Sequence, residues 1–386
     1  MQSPAQRLKP AQPALTPLAA LLAERIRRHG PLTFAEYMDA CLYHPQHGYY
    51  TRPNREARRD YFTNVDVSPL FGCLLARQLA EMWSASGCPD FYWLVEAGAG
   101  TGVLAKAILD FTAETLPAFY EALRYVAVEK SELRRAAQKP LLDAHIQRER
   151  FISAAELPQE IPAGCIVSNE LLDALPVHRA VQERGQLEEL YVRAHNGKLC
   201  EEKGQLSCPR IADYFARQGI ELRDGQQAEA GLAACDWIRD AGERLGRGFV
   251  VTIDYGREAR ELYDQLHMRG TLLAYEGHRA TEDFLRAPGD QDLTAHVNFT
   301  ALDLWGRESG LVRTGLTTQS NFLLALARES KFADIDSERA TEEAKRHLRL
   351  LFKTLIHPEG MGETFQVFVQ RKGFNAPPAL IGLKPL

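Results

Sequence analysis

Leu94-Val-Glu-Ala-Gly-Ala-Gly-Thr-Gly-Val-Leu104 is the stretch that decides the fold. An apolar run enters Gly98, Gly100 and Gly102, and a helical pattern starts directly after them. Glycine permits a tight strand-to-helix turn and lets a ligand approach the backbone closely. The N–H groups opening the next helix suit an anionic group such as a carboxylate. Two nucleotide readings fail on spacing. A dinucleotide fingerprint needs a small residue where Val103 stands. A phosphate loop needs a second glycine and a hydroxyl around Lys106 that the chain lacks. A bare turn with no ligand also uses glycine, but three in five residues cost chain entropy without a further reason.

Working outward, Leu123-Arg-Tyr-Val-Ala-Val-Glu129 reads as the next strand, with Glu129 at its carboxyl end. A carboxylate there can accept both hydroxyls of a ribose lying across the switch point of a parallel sheet. Its bland reading is a surface Glu before a helix. Glu96 stands two residues ahead of the first glycine. An acid, G-x-G-x-G and a second acid ending the next strand resemble the cofactor site of class I S-adenosylmethionine-dependent methyltransferases.

The flanking texture agrees with an α/β fold. Phe91–Glu96, Leu123–Glu129, Arg150–Ile152, Cys165–Ser168, Phe249–Asp254, Leu311–Leu316 and Thr364–Gln370 read as strands. Val103–Thr115 and Ser131–Asp143 read as helices among them, and such alternation argues for a mostly parallel sheet. Upstream, Leu15–His29 and Ser68–Ala85 are helical, and Thr33-x-x-Glu36 forms a capping box opening a helix through Cys41. The expected organisation is a loose tail over 1–14 and a helical extension over 15–90. A methyltransferase domain then spans 91–372, with insertions at about 177–245 and 257–300, and a tail follows over 373–386. The first insertion begins with a hairpin-like alternation over 177–200, and the second reads as a long loop with little regular structure.

Composition sets the limits. The 386 residues are 45% hydrophobic and 25% charged with a net charge of −5, which excludes intrinsic disorder and a strongly basic nucleic-acid binder. No run approaches the ~18 apolar residues of a membrane span. Seven scattered cysteines without a C-x-x-C exclude a zinc ribbon and a disulfide framework. The expected compartment is cytoplasmic, or the mitochondrial matrix in a eukaryote.

The acceptor side reads from Ile166-Val-Ser-Asn-Glu-Leu-Leu-Asp-Ala-Leu-Pro176. Asn169, Glu170 and Asp173 follow a core strand, where the ligand crevice of such sheets lies. Glu170 and Asp173, three apart, would project to one side of a helical turn. Paired carboxylates can hold the fork of a guanidinium; the alternative is that Asn169 and Asp173 merely cap turns. Asp254-Tyr-Gly256 is a weaker acidic candidate. His296, in Asp292-Leu-Thr-Ala-His296, is open between structure and catalysis. His44 and His47 lack a ligand set, so no metal is expected, and Arg52, Arg55, Arg58 and Arg59 read as a solvated face or a patch for an acidic partner.

Longer motifs extend the resemblance. Pro31-Leu-Thr-Phe-Ala-Glu-Tyr-Met38, Tyr43-His-Pro through Gly-Tyr-Tyr50, Asn169-Glu through Asp-Ala-Leu-Pro-Val-His178, Ile253-Asp-Tyr-Gly256 and Asp292-Leu-Thr-Ala-His-Val297 resemble the MidA family. Its mitochondrial members assemble respiratory complex I and form symmetric dimethylarginine on one of its subunits. The resemblance implies a class I methyltransferase fold, Rossmann-like, with a seven-stranded mostly parallel sheet whose last strand is antiparallel. It implies S-adenosyl-L-methionine as cofactor, a protein arginine as acceptor and no nucleic acid. Cofactor contacts would come from Thr63, Glu96, Gly98, Gly100, Gly102, Glu129 and Asn169. Ala99 and Thr101 replace the family's usual Pro and Arg, Thr63-Asn-Val-Asp66 stands for Thr-Ser-Pro-Glu, and Asn298 stands where an Asp is usual. Two rivals remain: a methyltransferase for small molecules or nucleic acid, and an assembly factor that binds the cofactor without using it.

Overall fold

The computed structural model describes residues 16–52, 69–277, 279–336 and 341–385. Helix α1 (Pro17–His29) starts on the Thr16 side chain and stops at Gly30, φ +91°. After strand β1 (Leu32–Thr33), the expected capping box of Thr33 and Glu36 opens helix α2 (Phe34–Tyr43). Helix α3 (Pro69–Ala85) leads to strand β2 (Tyr92–Ala97). Tyr92 and Leu94 join one apolar cluster and Val95 another, so β2 is covered on both faces and reads as a continuous apolar run.

Helix α4 (Val103–Thr115) leaves the glycine turn and buries Leu104, Ala105, Ile108 and Leu109 at helical spacing. It crosses α3 closely because Gly72 lacks a side chain; a Cβ there would lie 2.6 Å from that of Ala107. After α5 (Pro117–Ala122), strand β3 (Leu123–Val128) pairs with β2, then α6 (Glu132–Gln147) leads to β4 (Phe151–Ala154). Strand β5 (Ile161–Asn169) pairs with β2 on its other side. The chain therefore reverses direction across the sheet between β2 and β5, which opens a crevice at their carboxyl ends.

The next segment forms a sheet of its own. Strands β6 (His178–Glu183), β7 (Gln186–His195) and β8 (Lys198–Gly204) are joined through Arg184-Gly185 and Asn196-Gly197. All four of these residues have positive φ, which matches the turn that tightly connected antiparallel strands favour. Helix α7 (Arg210–Arg217) leads to β9 (Gln227–Ala230), and the antiparallel order is β1-β7-β6-β9 with β8 on β7. The hairpin expected over 177–200 is thus part of a five-stranded sheet.

Helix α8 (Leu232–Arg244) returns the chain to the main sheet as β10 (Leu245–Arg257). The stretch 257–300, expected as a loop, instead carries a short helix α9 (Ala259–Leu262) and strands β11 (Leu273–Glu276), β12 (Arg279–Thr281) and β13 (Asp292–Thr294) in a three-stranded antiparallel sheet. Strands of three or four residues are too short to show a period, which is why the sequence pattern concealed them. Two-residue β14 (Val297–Asn298) pairs with the end of β10. Helix α10 (Phe299–Glu308), β15 (Val312–Thr318), helices α11 (Gln319–Glu329) and α12 (Glu342–Ile356) and β16 (Phe365–Lys372) complete the fold.

The main sheet runs β15-β16-β10-β5-β2-β3-β4, with β16 antiparallel to both neighbours. This is the seven-stranded Rossmann-like sheet expected, with β14 added beside β10. A third apolar cluster joins Leu22, Phe34, Met38 and Leu42 of the N-terminal helices to Leu272, Ala274 and Leu293, with Tyr43, Tyr49 and Tyr50 packed into it. All seven cysteines are free, and no helix among the described residues is long and apolar enough to cross a membrane.

Candidate active site

The glycine loop is held by β3. The Gly98 and Ala99 N–H groups both donate to the Val128 carbonyl, at 2.9 and 3.0 Å. The Gln138 side chain donates to the Gly100 carbonyl at 2.8 Å. Gly98, Gly100 and Gly102 have φ of +76°, +54° and +87°, a backbone region that explains glycine at each. A Cβ at Gly98 would lie 3.0 Å from Leu171 and one at Gly102 3.0 Å from Leu142, whereas one at Gly100 would meet nothing within 4 Å. Gly100 therefore borders open space, as a cradle for a ligand requires. Helix α4 follows with no side-chain cap at Gly102, leaving its first amides for an anionic group.

Of the two acids expected here, Glu129 bonds the loop directly and Glu96 bonds β3. Glu129 accepts from the Gly100 N–H at 3.0 Å and from the Ser131 N–H at 2.8 Å. Each carboxylate oxygen has a second lone pair, so the ribose role is still available. Glu96 is buried and accepts from the Tyr125 hydroxyl at 2.6 Å. Burial pushes its carboxyl up to about 8, against the lowering effect of that bond. Thr63 lies outside the described residues, as do Arg55, Arg58 and Arg59; Arg52 pairs with Asp290 at 2.7 Å.

The acceptor segment departs from expectation. Residues 171–175 form an irregular turn rather than a helical one. The N–H groups of Leu171, Leu172 and Asp173 converge on one Asp254 oxygen at 3.2, 2.8 and 3.4 Å, and its other oxygen accepts from the Tyr255 N–H at 2.9 Å. Asp254 thus organises the turn, and the i, i+3 argument for Glu170 and Asp173 does not apply. Glu170 sits in the left-handed region at φ +52°, an uncommon conformation for a side-chain-bearing residue. Its N–H donates to the Ile253 carbonyl at 3.0 Å, and its Oε1 accepts from the Asn169 amide at 3.1 Å. The Asn169 Oδ1 is buried with no hydrogen-bond partner.

Asp173 is 1% exposed, and neither carboxylate oxygen has a hydrogen-bond partner. Burial, then the charges of Asp254 and Asp292, raise it well above the ordinary carboxylate range. Burial also pushes Asp254 up to about 7, with Glu170 adding to the rise and backbone N–H groups opposing it. The structure thus gathers Asn169, Glu170, Asp173, Asp254 and Asp292. Sequence reasoning missed Asp292 as a site residue, together with Tyr43 and Tyr50, whose hydroxyls donate to the Ala174 carbonyl and to Asp292. No spacing signal links positions so far apart.

His296 lies apart from the glycine loop but beside Leu172 and Leu175 of the acceptor turn. It lines a cavity of about 30 Å³ with Tyr214, Glu229, Tyr263 and Asn298, and no glycine-loop residue borders that cavity. Burial lowers its imidazole to about 4, with Arg257 and His267 adding to the shift, so it is neutral near pH 7. His44 accepts the Gln46 and His47 amides at 3.2 Å each and stacks on the His47 ring, which makes the pair a turn element. Among the described residues no three His, Cys, Asp or Glu side chains are grouped to hold a metal ion.

A parallel sheet with this reversal, a glycine cradle between two acids and a β16 inserted antiparallel define a class I methyltransferase. Residues 74–317 match the family described as "Putative S-adenosyl-L-methionine-dependent methyltransferase". The chain belongs to that family and, within it, to the MidA group. It is similar to mouse "Protein arginine methyltransferase NDUFAF7, mitochondrial", at 26% identity over 380 residues covering 92% of this chain and 84% of the relative. A Caenorhabditis elegans homologue of that protein is 28% identical over 347 residues, covering 81% and 77%. Among solved structures, a Burkholderia thailandensis protein bound to S-adenosyl-homocysteine superposes with a TM-score of 0.83 at 31% identity, covering 95% of this chain and 94% of that one. The cofactor is S-adenosyl-L-methionine, and the open Gly100 cradle fits it.

Proposed function

We propose that the protein is an arginine N-methyltransferase acting on a protein acceptor. The observation that carries this reading is Asp173, a buried carboxylate with two unpartnered oxygens beside further acids at the strand ends. A buried charge is costly unless paired, and a guanidinium offers two parallel N–H groups to such a pair of oxygens. The names of the mouse and nematode relatives support the same acceptor. Bound S-adenosylmethionine supplies an electrophilic methyl group on a sulfonium. Gly98, Gly100, Gly102, Glu96 and Glu129 hold it, with Asn169 at the junction of the two sides. Asp173 and Glu170 grip the guanidinium and aim one nitrogen at the methyl carbon, the alignment that an in-line displacement requires. A Glu170 carboxylate oxygen receives the proton that this nitrogen loses. His296 has no part in the step.

The family resemblance extends the proposal to symmetric dimethylarginine as product and, where the acceptor is shared, to a subunit of respiratory complex I. The test is to incubate the protein with methyl-labelled S-adenosylmethionine and extract from a deletion strain, then hydrolyse the proteins and separate the methylated amino acids. Labelled methylarginine in protein is the expected outcome. Label confined to small molecules or nucleic acid, or no transfer despite cofactor binding, would overturn the arginine reading.

A further inference from the structure

Asn169 ends β5, the strand that borders both halves of the crevice. In the register of the main sheet Ser168 faces Ala97 of β2, and Asn169 faces Ile253 of β10. The residues that follow on those two neighbours are Gly98 of the glycine loop and Asp254. Asn169 therefore stands between the cradle and the acid that shapes the acceptor turn. Contacts just beyond it hold that position. The Glu170 N–H donates to the Ile253 carbonyl at 3.0 Å, and a Cβ on Gly98 would lie 3.0 Å from the Leu171 side chain. Which end of the Asn169 amide is which follows from its partner. Its Nδ2 donates to Glu170 Oε1 at 3.1 Å, and an ionised carboxylate only accepts, so the nitrogen faces Glu170. The carbonyl end, Oδ1, is buried with no hydrogen-bond partner. A buried acceptor left unpaired is uncommon and costly, and beside a ligand crevice it marks the place of a hydrogen that the ligand brings.

We propose that Asn169 Oδ1 accepts one hydrogen of the guanidinium nitrogen being methylated, and thereby confines that nitrogen to a single methyl group. This assignment rests on the arginine reading above, in which Glu170 takes the proton. In each transfer the nitrogen lone pair attacks the methyl carbon, and the C–S bond breaks with its electron pair going to sulfur. One N–H proton passes to the Glu170 carboxylate. A terminal nitrogen of arginine carries two hydrogens, one for Asn169 and one for Glu170. After one transfer it carries only one. Presenting it again would spend that hydrogen on Glu170 and set the first methyl group against the buried Asn169 carbonyl. The other terminal nitrogen still has two hydrogens, so a second methyl group goes there and the product is symmetric. A site built to hydrogen-bond a substrate N–H rejects a group that lacks it strongly, whereas an apolar pocket resists one extra methyl only weakly.

The test incubates the full chain with methyl-labelled S-adenosylmethionine and deletion-strain extract, and separates monomethyl-, symmetric and asymmetric dimethylarginine after hydrolysis. In the wild type the asymmetric form should be no more than roughly a hundredth of all methylarginine. Asn169→Ala should raise that share at least roughly tenfold, while calorimetry shows that S-adenosyl-homocysteine still binds. Asn169→Asp keeps the shape and an acceptor oxygen, so it should keep the wild-type pattern at a reduced rate. Should Asn169→Ala fail to fold, Asn169→Ser, whose shorter side chain withdraws the acceptor, is read in the same way. Asymmetric dimethylarginine as a main product of the wild type, or an unchanged share in the alanine variant, would overturn the role of Asn169 and leave the arginine reading standing. Loss of S-adenosyl-homocysteine binding in that variant would assign Oδ1 to the cofactor and overturn it equally. A variant that binds the cofactor but transfers nothing would overturn it too, because Glu170 and Asp173 alone should sustain transfer. Absence of any methylarginine from the wild type overturns the arginine reading itself.

Discussion

The two halves of the crevice are built on different principles. The cofactor side is local: Glu96, the three glycines and Glu129 fall within two consecutive strand–turn–helix units, and Glu129 binds the loop directly through the Gly100 N–H. The acceptor side is assembled from afar. Asp254 on β10 gathers the amides of residues 171–173, Asp292 on β13 faces Tyr50, and Tyr43 anchors on Ala174. A local site can be written as a motif because chain connectivity fixes its geometry. A distributed site exists only once three apolar clusters have packed. The two sides touch where Gly98 lies against Leu171 of the acceptor turn and where Arg134 lies over the Tyr50 ring.

That contrast can be broken most severely at the glycines. Gly98→Val should abolish S-adenosylmethionine binding by calorimetry. The φ of +76° strains a β-branched residue, and the new Cβ meets Leu171 at 3.0 Å, so this variant should also lose thermal stability. Gly100→Val should abolish binding with a smaller loss of stability, because its side chain points into the empty cradle. Wild-type affinity in either variant would place the cofactor elsewhere.

Glu129→Gln sharpens the comparison on the cofactor side alone. Losing a charged acceptor should weaken cofactor binding by ~1.5–3 kcal/mol, or roughly ten- to a hundredfold. An unchanged dissociation constant would remove Glu129 from the ribose.

A smaller effect separates the sides by pH. Burial holds Asp254 up at about 7, so it is mostly protonated at pH 6 and ionises as pH rises, and burial raises the neighbouring Asp173 as well. The ionised Asp254 is the better acceptor for the three amides that shape the turn carrying Asp173. Transfer to an arginine acceptor should therefore climb by up to roughly tenfold from pH 6 to pH 8, the change in ionised fraction of one group titrating near 7. A flat profile under saturating cofactor would detach these acids from the acceptor.

The same contrast explains what was legible in the sequence. The seven-stranded sheet was readable because its central strands are buried on both faces and stand out as apolar runs. The glycine loop was readable because positive φ demands glycine whatever surrounds it. Asn169, Glu170 and Asp173 were singled out by their position at the end of a strand, yet the helical turn expected for Glu170 and Asp173 does not form. The controlling contact, Asp254 to three amides, spans more than 80 positions. The three-stranded sheet over 273–294 was concealed by its short strands, and with it went Asp292. In the sequence His296 is open between structure and catalysis because it lies in the long loop; the structure buries it in a cavity that Leu172 and Leu175 of the acceptor turn also line.

The central claim is that Glu170 and Asp173 serve the acceptor and not the fold or the cofactor. Glu170→Gln tests it most directly, since the shape is kept and only the charge-assisted pairing is lost. Melting temperature, S-adenosylmethionine affinity and methyl transfer to protein arginine are to be measured on one preparation. The account predicts near-normal melting and affinity with transfer reduced by at least ~10²-fold, as for loss of one preorganised electrostatic contact. A variant that melts early but transfers methyl groups at the wild-type rate would contradict it.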